Sequence, residues 1–243
     1  MIEVKNLVKE FEDKQVLKGV SVVFKSATTN LIIGKSGAGK TVLLKSLIGL
    51  IVPTSGEILF DGESVSLFDK EKRKQLYRKM GVMFQGSALF DSMTVLENVQ
   101  FPLDVFLRKP LKTRRSIAQE YLKKVGLADA ANKFPSEISG GMMKRAAIAR
   151  ALVTRPKYLF CDEPNSGLDP KTGGQIDQLI YDLTKEFEIT TIINTHDMNS
   201  VHAIGDKIIY IHNGLKEWEG SSALLSSPDV PEGVLQFINA GRV

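Results

Sequence analysis

The chain has 243 residues, 43% hydrophobic and 25% charged, enough for one large or two modest domains with a packed core. Its 32 Lys and Arg against 28 Asp and Glu leave +4 at pH 7, a mild excess that suits nucleic acid, an anionic membrane surface or a phosphorylated ligand and selects none of them. A single cysteine, Cys161, excludes an internal disulfide and points to a reducing compartment, and the longest apolar run, LIGLIV at 47–52, is far too short to span a bilayer, so any membrane role goes through a partner.

The first residues, MIEVKNLVKEF, alternate apolar and polar and lack the apolar core of a signal peptide. Residues 2–26 are expected as antiparallel strands turning near 12–14. TNLIIG (29–34) is a short buried strand entering a glycine-rich loop, and KTVLLKSLIGL (40–50) has a helical period. SGEILFDGESV carries an Asp61–Gly62 hairpin turn, and GVMFQ (81–85) is a further short strand. Residues 95–152 are mostly helical, with a break at Pro135. KYLFCDE (157–163) is a buried strand ending in acids. A helix follows, with Ile176, Leu179, Ile180, Leu183 and Phe187 on one face, and then the strands TTIINTH and KIIYIHNG. Strands alternating with helices imply an α/β fold with a largely parallel sheet, interrupted by an inserted helical block.

GKSGAGKT (34–41) fits G-x-x-x-x-G-K-[S/T] between a strand and a helix. Gly34, Gly37 and Gly39 let the backbone wrap phosphate oxygens, and the helix beginning near Lys40 aims free N–H groups at the same anion. Lys40 would reach the β- and γ-phosphates, and Thr41 would ligate Mg²⁺. A dinucleotide fingerprint fails, because from Gly37 it would need glycine at Val42.

YLFCDEP places Asp162 and Glu163 at the C-terminal end of a strand, the edge where open α/β sheets bind ligands. Adjacent strand residues face opposite ways, so Asp162 is assigned to Mg²⁺ and Glu163 to the attacking water as general base. Exposed acids closing a strand would look the same in isolation. TTIINTHD brings His196 to the same edge, where a γ-phosphate contact is expected; His202 and His212 have no such context. Cys161 is expected as a buried core residue.

ISGGM (138–142) places two glycines at a helix start, 20 residues before the acidic strand. Ser139, Gly140 and Gly141 offer a hydroxyl, N–H groups and close backbone approach to an anion. With one phosphate loop already in the chain, a second such helix start makes sense if it completes the site of another copy; the plainer reading is a helix cap.

Taken together, these motifs resemble the nucleotide-binding subunits of ABC transporters over nearly the whole chain. GKSGAGKT is similar to their Walker A, YLFCDE to Walker B, ISGGM to the LSGGQ signature, SGLD (166–169) to the D-loop, and His196 to the switch histidine. Gln85 matches the Q-loop glutamine, and Phe11 sits where an adenine-stacking aromatic is usual, although a hairpin core role competes. Ile138, Met142, Lys35 and Asn165 depart from the commonest residues without removing a chemical group. The resemblance implies a P-loop NTPase core (1–86 and 156–215) with an N-terminal antiparallel β subdomain, a helical subdomain (87–155) and a C-terminal segment (216–243). It implies ATP held by Phe11, by Gly34, Lys35, Ser36, Gly37, Ala38, Gly39, Lys40, Thr41 and Val42, by Asp169, and by Ser139, Gly140 and Gly141 of a second copy paired head to tail. Mg²⁺ would be held by Thr41, Gln85 and Asp162, and catalysis carried by Glu163, His196, Gln85 and Lys40.

MFQGSALFDSMTVLENVQFPL (83–103), the signature variant ISGGMMKRAAIARAL and the ending VLQFINAG are similar to the ATPases of Mla/MCE lipid-transport systems. That resemblance implies a phospholipid-handling complex of a bacterial envelope, with an integral membrane permease, an MCE substrate-binding protein and a possible accessory subunit. The chain would lie peripherally on the cytoplasmic face of the inner membrane. An ABC ATPase serving another substrate, a nucleic-acid-associated ABC protein and a P-loop kinase are the competing readings. The chain carries one phosphate loop and one signature and no aromatic-rich basic stripe, so no nucleic-acid partner is expected.

Overall fold

The computed structural model describes residues 1–240; the last three residues of the expected 216–243 segment lie outside it. Two sheets form the scaffold. The first is antiparallel, in the order β2-β1-β4-β5, from β1 (Ile2–Phe11), β2 (Lys14–Phe24), β4 (Ser55–Phe60) and β5 (Glu63–Ser64). Alternation in β1 and β2, reset by register shifts between Val4 and Leu7 and between Lys18 and Val20, turns Ile2, Val4, Leu7, Leu17, Val20, Val22 and Phe24 into one core.

The second sheet has six strands in the order β10-β9-β3-β8-β7-β6. Its members are β3 (Thr29–Ile33), β6 (Met80–Met83), β7 (Tyr158–Asp162), β8 (Thr190–Asn194), β9 (Lys207–His212) and β10 (Leu215–Gly220). All neighbours are parallel except the β9–β10 hairpin. Strands β3, β7 and β8 are buried along their whole length, which is why they read as continuous apolar runs and not as alternation. Asp61, in the turn between β4 and β5, accepts hydrogen bonds from Tyr158 Oη and Lys157 Nζ, both 2.7 Å, and so fastens the first sheet to β7.

Among the described residues eight α-helices complete the fold: α1 (Lys40–Leu47), α2 (Lys70–Arg78), α3 (Val95–Phe106), α4 (Leu111–Lys124), α5 (Gly140–Leu152), α6 (Pro170–Glu186), α7 (Met198–Ile204) and α8 (Glu232–Ala240). The helical stretch expected over 95–152 is broken not only near Pro135 but also between Leu107 and Pro110 and at Gly126, whose φ is +69°. Pro102 lies inside α3 without ending it. Helix α3 opens with a full capping box, Thr94 and Glu97 satisfying each other's backbone N–H. A large core joins α3, α4 and α5 to the β7 side of the sheet through Val99, Leu122, Ile148 and Leu159. Among the described residues no helix is long and apolar enough to cross a membrane.

Candidate active site

The C-terminal ends of β3, β8, β7 and β6, four adjacent strands, release four loops onto one edge of the parallel sheet. A cleft of about 850 Å³ opens there, lined by Gly34, Lys35, Ser36, Gly37, Gly39, Lys40, Thr41 and Val42 after β3, Gln85 after β6, Glu163 after β7 and His196 after β8. Val16, Met198 and Phe237 complete the lining.

The loop after β3 is built to receive an anion. Gly34 has φ +148°, and a Cβ there would lie 2.1 Å from the carbonyl oxygen of Ile211, so no side chain fits. Gly39 is the N-cap of α1, and no side chain caps that helix, which leaves its first N–H groups available to the cleft. Lys40 Nζ donates to the carbonyl oxygens of Gly34 (2.7 Å) and Lys35 (3.1 Å) and is nearly buried. Burial lowers its pKa, while the carboxylates of Glu163 and Asp162 push it back up. A phosphate group entering between Lys40 and the start of α1 would meet the ammonium and the free N–H groups of the helix start together. These residues fit a nucleoside triphosphate.

Glu163 is held at both oxygens. His196 Nδ1–H donates to Oε1 (2.9 Å) and Gln85 Nε2 donates to Oε2 (3.1 Å). The Glu163 backbone adopts φ +49°, uncommon for a non-glycine residue, and its N–H donates to Asn194 O at 3.0 Å. That conformation turns the side chain out of the buried strand and into the cleft. Asp162 is 8% exposed, near enough for its charge to act on Lys40, and accepts from Asn194 Nδ2 at 3.0 Å; Asn194 Oδ1 is buried without a partner. Among the described residues no three His, Cys, Asp or Glu side chains form a metal cage. Cys161 is fully buried, with its thiol pKa pushed up by that burial, as suits a core residue.

The remaining candidates lie apart from this lining. Ser139 caps α5, accepting from Met142 N–H at 3.3 Å, with Gly140 and Gly141 in its first turn. Neither glycine has positive φ; a Cβ at Gly141 would instead sit 2.8 Å from Thr172 Cγ2, so the glycine also lets α5 approach the start of α6. Asp169 caps α6 through Thr172 N–H at 3.0 Å. Ala38 is buried inside the phosphate loop. Phe11 is 43% exposed at the end of β1, with Lys9 Nζ 4.7 Å from its ring centroid.

Several residues of this region escaped the sequence. Phe237 of α8 packs on Tyr210, ring centroids 5.3 Å apart, and lines the cleft from more than 190 residues beyond the phosphate loop. Behind Glu163 and His196, Asn165 Nδ2 lies within reach of Asp197 Oδ2 and Ser200 Oγ (both 3.0 Å) and of Asp177 Oδ2 (3.2 Å). A polar residue in this loop gave no hint of such partners.

A phosphate loop, a strand-end glutamate and a histidine on one edge of a parallel sheet define a nucleoside-triphosphate hydrolase. The ABC transporter family matches residues 17–166, and the chain belongs to that family as an ATP-binding, ATP-hydrolysing subunit. It is 39% identical over 242 residues to the probable ribonucleotide transport ATP-binding protein mkl of Mycobacterium leprae, covering 100% of this chain and 70% of that one. To the intermembrane phospholipid transport system ATP-binding protein MlaF of Haemophilus influenzae it is 38% identical over 239 residues, covering 98% and 90%. Among solved structures it is similar to the dimeric post-hydrolysis state of the ATP-binding cassette MJ0796 bound to ADP and Pi. That match has a TM-score of 0.82 and 35% identity over 91% of this chain and 99% of that one.

Proposed function

We propose that the chain powers a phospholipid transport complex of the Mla/MCE type, hydrolysing ATP between two head-to-tail copies and passing the closure to an integral membrane permease. The carrying observation is the division of the candidate residues. The phosphate loop, Gln85, Glu163 and His196 share one cleft, whereas Ser139, Gly140 and Gly141 open a separate helix. A second copy supplies Ser139 and Gly141 to the γ-phosphate, in keeping with the dimeric state of MJ0796. The lipid assignment leans on the near full-length likeness to MlaF and on the 83–103 stretch; the likeness to mkl favours a ribonucleotide as the second reading.

In this scheme Lys40 and the start of α1 hold the β- and γ-phosphates. Glu163 takes a proton from the attacking water, and His196 and Gln85 fix the direction of its carboxylate. Phe11 stacks on the adenine, and Asp169 faces the partner copy. Thr41, Gln85 and Asp162 would hold Mg²⁺, which supplies charge neutralisation to the phosphates when bound. ATP binds the closed pair better than the open chains, so its binding energy shifts that equilibrium, and loss of phosphate reverses it. The complex would sit on the cytoplasmic face of the inner membrane through the permease, with an MCE protein and an accessory subunit as further members.

The test is co-expression with an Mla-type integral membrane permease, followed by purification and reconstitution. A complex in which added phospholipid stimulates ATP turnover and labelled phospholipid moves between membranes is expected. Stimulation by ribonucleotides, with phospholipid inert, would overturn the lipid assignment and leave the ATPase reading standing.

A further inference from the structure

Helix α5 grips the loop that follows β6 at two points. Lys144 Nζ donates to the carbonyl oxygen of Gln85 at 2.5 Å. Six residues on, the Arg150 guanidinium donates to two further carbonyl oxygens, Nη1 to Ala88 (2.7 Å) and Nη2 to Ser87 (2.6 Å). These are charge-assisted bonds, and the second pair uses the planar fork that only arginine offers. Lys144 is 6% exposed, and its ammonium also lies 3.4 Å from Ser166 Oγ, in the loop after Glu163.

What they hold is a backbone that does not favour its own conformation. Ser87 and Ala88 have φ of +62° and +48°, consecutive left-handed residues neither of which is glycine. Such residues carry backbone strain and persist where the surroundings over-determine them. The far side of the loop is fixed as well: Asn98 of α3, fully buried, accepts from Phe90 N–H (2.7 Å) and donates towards Phe90 O (3.0 Å). Three carbonyls pointing at two cations explain why the loop turns this way, and why two long cationic side chains sit against a helix otherwise rich in alanine.

The two ends of this arrangement are the two places where the chain meets nucleotide in the reading above, on which this inference rests. Gln85 bonds Glu163 inside the cleft. The N-terminus of α5, with Ser139 and Gly141, lies 11 residues from Arg150, roughly 16 Å along the helix. We propose that Lys144 and Arg150 are positioning residues that clamp the 85–88 loop onto α5, so that Gln85 in one ATP site and Ser139 in the other move as a single rigid body. The clamp converts the placement of Gln85 against Glu163 into the placement of the helix start that the partner copy's ATP must meet.

The test compares Arg150→Met, Arg150→Lys, Lys144→Met and Lys144→Gln with the unaltered chain. Hydrogen exchange of the 86–89 amides is measured without nucleotide, and ATP affinity and kcat are measured separately. Arg150→Met and Lys144→Met are expected to speed exchange in this loop about tenfold or more while α5 itself stays protected. They should lower kcat by a similar factor and change the Kd for ATP by less than about threefold. Lys144→Gln keeps a donor to Gln85 O and should restore much of the protection; Arg150→Lys keeps one bond of two and should fall between. If Arg150→Met fails to fold, the Lys144 pair still reads the clamp. Unchanged loop exchange in Lys144→Met, or loss of ATP affinity in step with kcat, would overturn the proposal. Failure of the unaltered chain to hydrolyse ATP would strike the functional reading instead, because the exchange measurement needs no nucleotide.

Discussion

Glu163 stands between His196 and Gln85, one carboxylate oxygen taking the imidazole N–H at 2.9 Å and the other the amide at 3.1 Å. Each partner comes from a different loop, so the carboxylate is aimed by three strand ends at once. Removing the negative charge while keeping the shape separates binding from chemistry. Glu163→Gln should retain ATP affinity, because Lys40 and the phosphate loop are untouched, and lower kcat by roughly 10²–10⁴-fold, the scale for losing a positioned base. ATP titration and steady-state phosphate release check both halves; turnover like that of the unaltered chain would remove Glu163 from its role.

Lys40→Ala deletes the buried ammonium that is bonded to the phosphate loop. Its bonds to Gly34 O and Lys35 O lie within the loop, so the fold should survive and the loss should fall on the ligand. ATP affinity is expected to fall by about tenfold or more, the lower range for a charge-assisted bond to phosphate. Calorimetry with ATP and with ADP checks it: an equal loss for both would place the lysine on the β-phosphate alone, and unchanged affinity would contradict the phosphate-loop role.

Much of this site was legible because its motifs are local. Residues 34–41 carry their own glycines, lysine and hydroxyl in one continuous loop, and Asp162, Glu163 and His196 announce themselves by ending apolar strands. Elements without an apolar stripe were not: α2, whose nine residues bury only Leu76, gives no period to detect. Strand β6 ends at Met83, not at Gln85, because Phe84 and Gln85 leave the sheet to enter the clamped loop. Lys144, Arg150, Asn165 and Phe237 owe their positions to residues far away in the chain, and lysine, arginine and asparagine side chains are solvated more often than not. Gly141 was legible as unusual, but its contact with Thr172 depends on how α5 meets α6.

Ser139→Arg probes the pairing of two copies. The serine caps α5, so losing it costs about 1 kcal/mol, too little to unfold a domain of this size. Its side chain lies outside the cleft, so ATP binding by a single chain should be preserved. ATP-driven dimer formation in a Glu163→Gln background, read by light scattering, should disappear. Parallel loss of monomer binding and dimerisation would argue against a site shared between copies.

Asp177 gives a pH prediction of opposite sign to an ordinary paired carboxylate. Burial chiefly pushes its pKa from 3.8 up to about 6; Asp197 adds to this, while the hydrogen bonds from Ser200 and Asn165 work against it. One carboxyl oxygen accepts from Ser200 Oγ at 2.6 Å, and the other is buried without a partner. Because the folded pKa lies above the unfolded one, the folded chain binds the proton more tightly. The stabilisation from Asp177 is therefore complete below about pH 4 and is lost as pH rises through about 6, with an amplitude on the order of 3 kcal/mol. Asp177→Asn should flatten this part of the profile, so that urea midpoints measured between pH 4 and 7 gain on the unaltered chain as pH rises. If the two profiles ran parallel across that range, the carboxyl would titrate alike in the folded and unfolded chain, and its burial against Asn165, Asp197 and Ser200 would have to be wrong.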